Sequence, residues 1–243
     1  AALCDMPLWS ISACEQAGVP LLYVGNFTWT ELYREFLPEY IWKAYAAEYR
    51  KIRHGMLYAL HNPEMLEFLS QAELSETSLV ARPFHPDEIR AIRARHTCPI
   101  VFVALGMSAQ FTQPVSVEGV EAHFYVTEGV PLTGSNVTVI PYSTLHTQDY
   151  VAAADYVVTK AGWGTVAECL LAQKPMALFA RDSVLEDRTT IRLLEQKKLA
   201  IKVTYEQLTE MSDLLEQMKQ ITYPAAPEYH NAAAEIVSKL LTL

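Results

Sequence analysis

The sequence predicts an α/β protein of two Rossmann-like lobes, the first of them incomplete, and three observations carry that prediction. Short apolar runs of strand type alternate with segments of helical periodicity, the pattern of parallel sheets covered on both faces. Prolines and arginines collect in "SLVARPFHPDEIRAIRARHTCP", residues 78–99, a composition suited to a connection between lobes. The chain also opens on what reads as the end of a strand running straight into "DMPLWSISACEQAG". A segment ahead of Ala1 is therefore expected to have been removed, or to be carried by a partner chain.

In the first lobe, placed at residues 1–90, a helix over 8–17 is expected to stop at Gly18, since glycine accepts the left-handed conformation that closes a helix. "VPLLYVGNF" follows as a buried strand. Residues 30–60 carry Leu32, Tyr33, Phe36, Tyr40, Ile41, Tyr45, Tyr49, Ile52, Met56 and Leu57 at helical spacing, with Pro38 dividing two helices. A polar stretch follows "HNPEMLEFL", and the boundary is expected near residues 86–98. The second lobe, residues 91–222, repeats one unit: strands "PIVFVALG", "AHFYVTEG" and "NVTVIPY", a helix over 147–153, strand "DYVVTKAG", a helix over 165–173, strand "PMALFAR", a helix over 187–197 and strand "LAIKV". Such sheets bind ligands outside the carboxyl ends of their strands. The tail, residues 223–243, begins with prolines and becomes an amphipathic C-terminal helix.

Composition narrows the function. Nineteen Lys and Arg against 28 Asp and Glu give a net charge of −9, which argues against nucleic acid as a partner, because that binding runs on phosphate neutralisation by clustered cations. No run of about eighteen apolar residues marks a transmembrane span, and "AALCDMPLWS" lacks the layout of a signal peptide. Cys4, Cys14, Cys98 and Cys169 show no metal-type spacing and read as structural thiols of a cytoplasmic protein, which makes the sequons at Asn26 and Asn136 chance matches. The seven histidines form no HExxH, and no G-x-S-x-G elbow occurs, so neither a metal nor a serine nucleophile is expected.

The chemistry concentrates in "DYVVTKAGWGTVAE", residues 155–168. Gly162 and Gly164 flank a strand-to-helix turn and Thr165 is placed to cap a helix over 166–173, whose first N–H groups would form an anion site that a diphosphate can approach. A plain turn uses Gly164 equally well. Glu168 falls one turn into the helix, where its carboxylate can accept hydrogen bonds from a ribose diol or simply face the helix dipole. Lys160 reads as a phosphate partner or as a lysine snorkelling from a strand end. Three more strand ends converge on this edge: Gly106 to Ser108, Pro141 to Ser143, and Arg181 to Asp187.

Through "NVTVIPYSTLHTQDYVAAADYVVTKAGWGTVAECLLAQKPMALF" the sequence resembles the nucleotide-sugar glycosyltransferases of the GT-B fold. It is similar to those that add N-acetylglucosamine to the peptidoglycan lipid precursor, and "AGWGTVAE" is similar to the glucuronosyltransferase-type signature. "CDMPLWS" and "VGNFTW" resemble the glycosyltransferase-like domain fused to plant arabinose kinases. The likeness is strong over residues 99–205 and weaker before them. It implies Gly106, Lys160, Gly162, Trp163, Gly164 and Thr165 at the donor diphosphate, Glu168 at the ribose, Pro141, Tyr142 and Ser143 around the base, and Arg181, Glu186 and Asp187 at the sugar. Asn26 and Trp29 fall on the acceptor side, with Asp5 as the candidate acid/base. "LEDRTT" stands where the family carries an Asp-Gln or Gln-Gln pair, which bears on the choice of sugar.

The activity so implied is transfer of a sugar from a nucleoside diphosphate sugar, with uridine the expected base, to an acceptor hydroxyl, without cofactor or metal. A nucleotide-sugar epimerase or hydrolase, and a non-catalytic nucleotide-sugar-binding module, are the alternatives. The aromatic and basic segment "YIWKAYAAEYRKIRHGMLYAL" reads either as a packed helix with a solvated face or as a surface for a lipid acceptor.

Overall fold

Every strand pairing found among the described residues is parallel. The computed structural model describes residues 1–105, 113–181 and 183–243. The chain divides into two units, one of residues 1–80, 183–190 and 230–243, the other of residues 81–182 and 191–229.

The first unit contains β1 (Ala2–Cys4), α1 (Leu8–Ala17), β2 (Leu21–Gly25), α2 (Trp29–Arg34), α3 (Glu39–Tyr49), β3 (His54–Tyr58) and β4 (Glu73–Thr77), with the sheet in sequential order β1-β2-β3-β4. Alternation along the strands feeds two cores. Tyr23 and Leu57 join Cys4, Tyr49 and Phe68 on one face, while Leu22, Val24 and Met56 join Ala232 and Ile236 of the C-terminal segment on the other. α1 stops at Gly18, whose φ of 63° lets its N–H reach back to the carbonyls of Cys14 and Glu15. α2 opens with a capping box: the Thr28 N–H donates to Glu31 Oε1 at 2.6 Å, and the Thr30 N–H donates to the Thr28 hydroxyl at 3.2 Å.

Two expectations are corrected here. Residues 54–58 are a strand, not the end of a second helix, because Met56 and Leu57 each bury a side chain on an opposite face of the sheet. The polar stretch contains β4, an edge strand whose partner on its inner side is β3. The aromatic and basic segment is thus a helix followed by a strand, with Lys43 paired to Glu39 at 2.5 Å and Lys51 to Glu48 at 2.8 Å.

The second unit holds α4 (Pro86–Arg93), β5 (Ile100–Ala104), β6 (Val115–Ser116), β7 (His123–Thr127), β8 (Leu132–Thr133), β9 (Val137–Ile140), α5 (Thr147–Ala153), β10 (Tyr156–Lys160), α6 (Trp163–Leu171), β11 (Met176–Phe179), β12 (Ala200–Val203), α8 (Tyr205–Thr209) and α9 (Met211–Met218); α7 (Leu185–Gln196) is divided between the units at Thr190, and α10 (Ala233–Leu241) belongs to the first. Residues 86–98, read from sequence as the boundary, carry α4, which is tied to its own unit by Arg93 donating to the Ala153 carbonyl at 2.6 Å and pairing with Asp155 at 3.1 Å. The tail starts in the same unit, where the Tyr223 hydroxyl donates to the Lys174 carbonyl at 2.9 Å.

The six-stranded sheet runs β12-β11-β10-β5-β7-β9. Its first strand in sequence, β5, therefore lies at the centre, and the chain winds outward through β7 and β9 before returning to β10 on the other side. That order creates a topological switch point between β5 and β10, the position at which doubly wound sheets bind their ligands. Val101 and Val103 of β5 face a core shared with Leu214 and Met218, while Phe102 on the opposite face stacks on Tyr150 of α5. Both faces are covered, as a parallel sheet requires. No helix among the described residues is long and apolar enough to cross a membrane.

Candidate functional site

The turn after β10 stands at the switch point. Ala161 donates to the Phe179 carbonyl at 3.2 Å and Gly162 to the Lys160 carbonyl at 2.8 Å, which fixes the chain before α6 begins. The N-cap lies three residues earlier than expected: Gly162, extended at φ −74° and ψ 127°, takes that position, and Thr165 is the third helical residue. The reason is that the Val166 N–H already reaches the Gly162 carbonyl at 3.1 Å. The N–H groups of Gly164 and Thr165 precede that first intrahelical bond and point along the positive end of the helix dipole. A methyl group on Gly162 would stand 3.3 Å from Lys160 Cε, whereas one on Gly164 would meet nothing within 4 Å. Packing within the protein therefore does not demand glycine at 164, and its bare backbone leaves space that a ligand can use. Lys160, half-buried, ends the strand beside this turn.

Glu168 lies on α6 with only 4% exposure, and its partner is one that sequence reading did not assign. Arg82 Nε donates to Glu168 Oε1 at 2.7 Å, Arg82 Nη1 to the Leu145 carbonyl at 3.3 Å, and Arg82 Nη2 to the Thr147 hydroxyl at 3.0 Å. The expected base-side residues Pro141, Tyr142 and Ser143 are all exposed, directly after β9. The Tyr142 N–H donates to Glu128 Oε2 at 3.1 Å, and its hydroxyl lies where a Cβ on Gly129 would come within 2.8 Å. Gly129 has φ of 89°, a backbone conformation that favours glycine there. Between α4, α5 and this loop is a cavity of about 600 Å³ lined in part by His85, Leu145, His146 and Asp149. Asp149 is buried and accepts from the His85 N–H at 2.9 Å, with His85 Nδ1 also 2.9 Å away.

The remaining predicted residues separate. Gly106 lies outside the described residues. Arg181 follows β11 in the second unit, while Glu186 and Asp187 form the first turn of α7 in the first unit. There Asn26, buried at the end of β2, donates from Nδ2 to Glu186 Oε1 at 3.4 Å, which brings one acceptor-side residue and one sugar-side residue together. Asp187 is fully buried. Trp29 opens α2 and stacks on Tyr33 at 5.4 Å with Phe27 edge-on at 5.5 Å, a packed aromatic cluster. Asp5 is exposed after β1 and does not cap α1, whose N-cap is Pro7; partial desolvation raises its carboxyl above the usual range. Among the described residues no group of three or more His, Cys, Asp or Glu side chains is placed to hold a metal ion.

Rossmann-like units of parallel sheet, with a glycine-bearing helix start at a switch point, are the architecture of GT-B glycosyltransferases, and solved structures of that kind match the fold. A glycosyltransferase of kitacinnamycin is 15% identical with a TM-score of 0.57, covering 98% of this chain and 70% of that one. Spinosyn forosaminyltransferase SpnP is 14% identical with a TM-score of 0.59, over 99% and 71%. UGT89C1 of Arabidopsis thaliana, solved with UDP-L-rhamnose, is 12% identical with a TM-score of 0.60, over 95% and 64%. The chain thus spans roughly two thirds of the length of each. No curated protein matches it. By a match over residues 101–241 to the glycosyltransferase family 28 C-terminal domain, the chain belongs to that family.

Proposed function

We propose that this chain binds a nucleoside diphosphate sugar through its second unit and transfers the glycosyl group to an acceptor hydroxyl. The observation that carries the reading is the start of α6 at the β5/β10 switch point, with Gly164 open to solvent and its N–H ahead of the first intrahelical bond. When the bond between the anomeric carbon and the diphosphate oxygen breaks, negative charge collects on the departing diphosphate. Fixed N–H dipoles at Gly164 and Thr165, with the Trp163 backbone and Lys160 beside them, stabilise that charge more than they stabilise the ground state, and that difference lowers the barrier.

The other assignments follow from position. Glu168 accepts hydrogen bonds from the ribose hydroxyls, and Tyr142, with Pro141 and Ser143, flanks the base. Uridine is the base we assign, because the Arabidopsis relative was solved both with UDP-L-rhamnose and with UDP. Arg181, in the same unit as the start of α6, is assigned to the sugar, while Asp187, enclosed by protein, is assigned no contact with it. In the first unit, Asn26 stands on the acceptor side and Asp5 takes the acceptor proton; partial desolvation of its carboxyl makes it a better base. Four free thiols, at Cys4, Cys14, Cys98 and Cys169, suit a reducing cytoplasm. The test is calorimetric titration of the chain with UDP, UDP-glucose and UDP-N-acetylglucosamine, with ADP and GDP as controls. Saturable binding of the uridine ligands with weaker binding of the controls supports the reading, and the absence of binding by any nucleotide refutes it.

A further inference from the structure

Resting on that reading, we propose that Arg82 is a positioning residue of the donor nucleoside site, joining the ribose carboxylate to the base-side loop. It makes three hydrogen bonds in three directions: to Glu168 on α6, to the Leu145 carbonyl in the loop after β9, and to Thr147 at the start of α5. The guanidinium is planar and its donors are fixed relative to one another, so holding three acceptors at once sets the distance between the loop and the carboxylate. Leu145 is 78% exposed, so the loop carbonyl has little packing of its own to hold it.

The backbone around Arg82 is itself laced to the same loop and helix. Gln148 Nε2 donates to the Pro83 carbonyl at 3.1 Å and the His85 N–H donates to Asp149 Oδ1 at 2.9 Å. Residues 82–85 thus form a strap stitched to residues 145–149, and Pro83 removes backbone freedom from the strap's middle. The strap has a chemical purpose on the carboxylate side as well. Glu168 is almost wholly withdrawn from water, and a carboxylate in that setting needs a charged partner if it is to stay an acceptor for a ribose hydroxyl. Arg82 engages it through Oε1. Without the guanidinium the carboxylate and the loop lose the side chain that bridges them, and the loop would lose its register with the ribose.

The test compares UDP, 2′-deoxy-UDP and inorganic pyrophosphate as titrants of the wild-type chain and of Arg82→Ala and Arg82→Lys, with thermal melts to verify folding. The wild type is expected to bind UDP about tenfold more tightly than the deoxy analogue, the worth of one hydrogen bond to a charged acceptor. Both variants should lose about tenfold in UDP affinity and bind the two nucleotides within about twofold of each other, while pyrophosphate affinity stays unchanged. A merely structural arginine would lower the melting temperature and leave the preference for ribose intact. Where Arg82→Ala fails to fold, Arg82→Lys decides. Variants that discriminate against the deoxy analogue as the wild type does overturn this inference and leave the proposed function standing. A wild type that binds neither nucleotide overturns both.

Discussion

Two helix glutamates, Glu31 in the first turn of α2 and Glu168 in the second half of α6, are buried to nearly the same degree, at 1% and 4% exposure. Their partners differ in kind. Glu31 is held by the N–H and the hydroxyl of Thr28, three residues away, a closed local capping box of neutral donors. Glu168 is held by a full positive charge from 86 residues earlier in the sequence, which also holds the Leu145 carbonyl in the loop after β9. Desolvation outweighs the neutral donors at Glu31 and raises its carboxyl to about 7. The contrast separates a carboxyl closed into a local helix cap by neutral donors from one held by a cation distant in the sequence.

The largest expected effect that sharpens this comparison is a pH dependence. Because the carboxyl of Glu31 is raised in the folded state from an ordinary 4.5 to about 7, the folded protein holds a proton that the unfolded chain has lost across that window. Its contribution is fully present below pH 4.5 and is lost as pH rises through 7, a difference of about 3 kcal/mol. Urea unfolding from pH 4 to pH 8 should therefore show a downward slope that Glu31→Gln flattens; an unchanged slope in the variant would assign the effect elsewhere. Removal of the cation at the other glutamate comes next. Arg82→Ala leaves Glu168 buried without its partner and should cost about 2 kcal/mol, below the range for fully buried pairs because the arginine side chain is half exposed. The double variant Arg82→Ala, Glu168→Gln should recover part of that loss in chemical unfolding, and strict additivity would show that the pair is not coupled.

A smaller effect is expected at the capping box. Thr28→Ala removes the acceptor of the Thr30 N–H and should lower stability by about 1 kcal/mol. Nucleotide affinity should stay as it is, a joint result that melting and titration read together.

Much of the second unit was legible because its inner strands β5, β7, β10 and β11 are short runs buried on both faces. The helix over 147–153 and the Gly18 stop follow from local chemistry, and the structure reproduces both. β3 was misread because the spacing of Ile52 and Met56 fits a helix, while the two-faced burial of Met56 and Leu57 depends on partners from β2, β4 and the C-terminal helix. The sheet order, and with it the switch point, is a property of pairing between distant segments that no local pattern encodes. Arg82 was visible only as one of several arginines near prolines, since nothing within its own neighbourhood marks a contact with Glu168. The cap of α6 was misplaced by three residues because Thr165 is the better side-chain cap, yet the helix opens on Gly162, whose carbonyl accepts the first intrahelical bond.

The most direct test of the central claim, that the start of α6 binds the donor diphosphate, is the affinity of UDP for Gly164→Val measured by calorimetry. A side chain at 164 would enter open space, so the variant should fold with an unchanged melting temperature. If the diphosphate approaches this backbone, affinity falls by about tenfold or more, a loss of about 1.4 kcal/mol or greater. A well-folded Gly164→Val that binds UDP as tightly as the wild type would contradict the claim and leave the glycines as features of a turn.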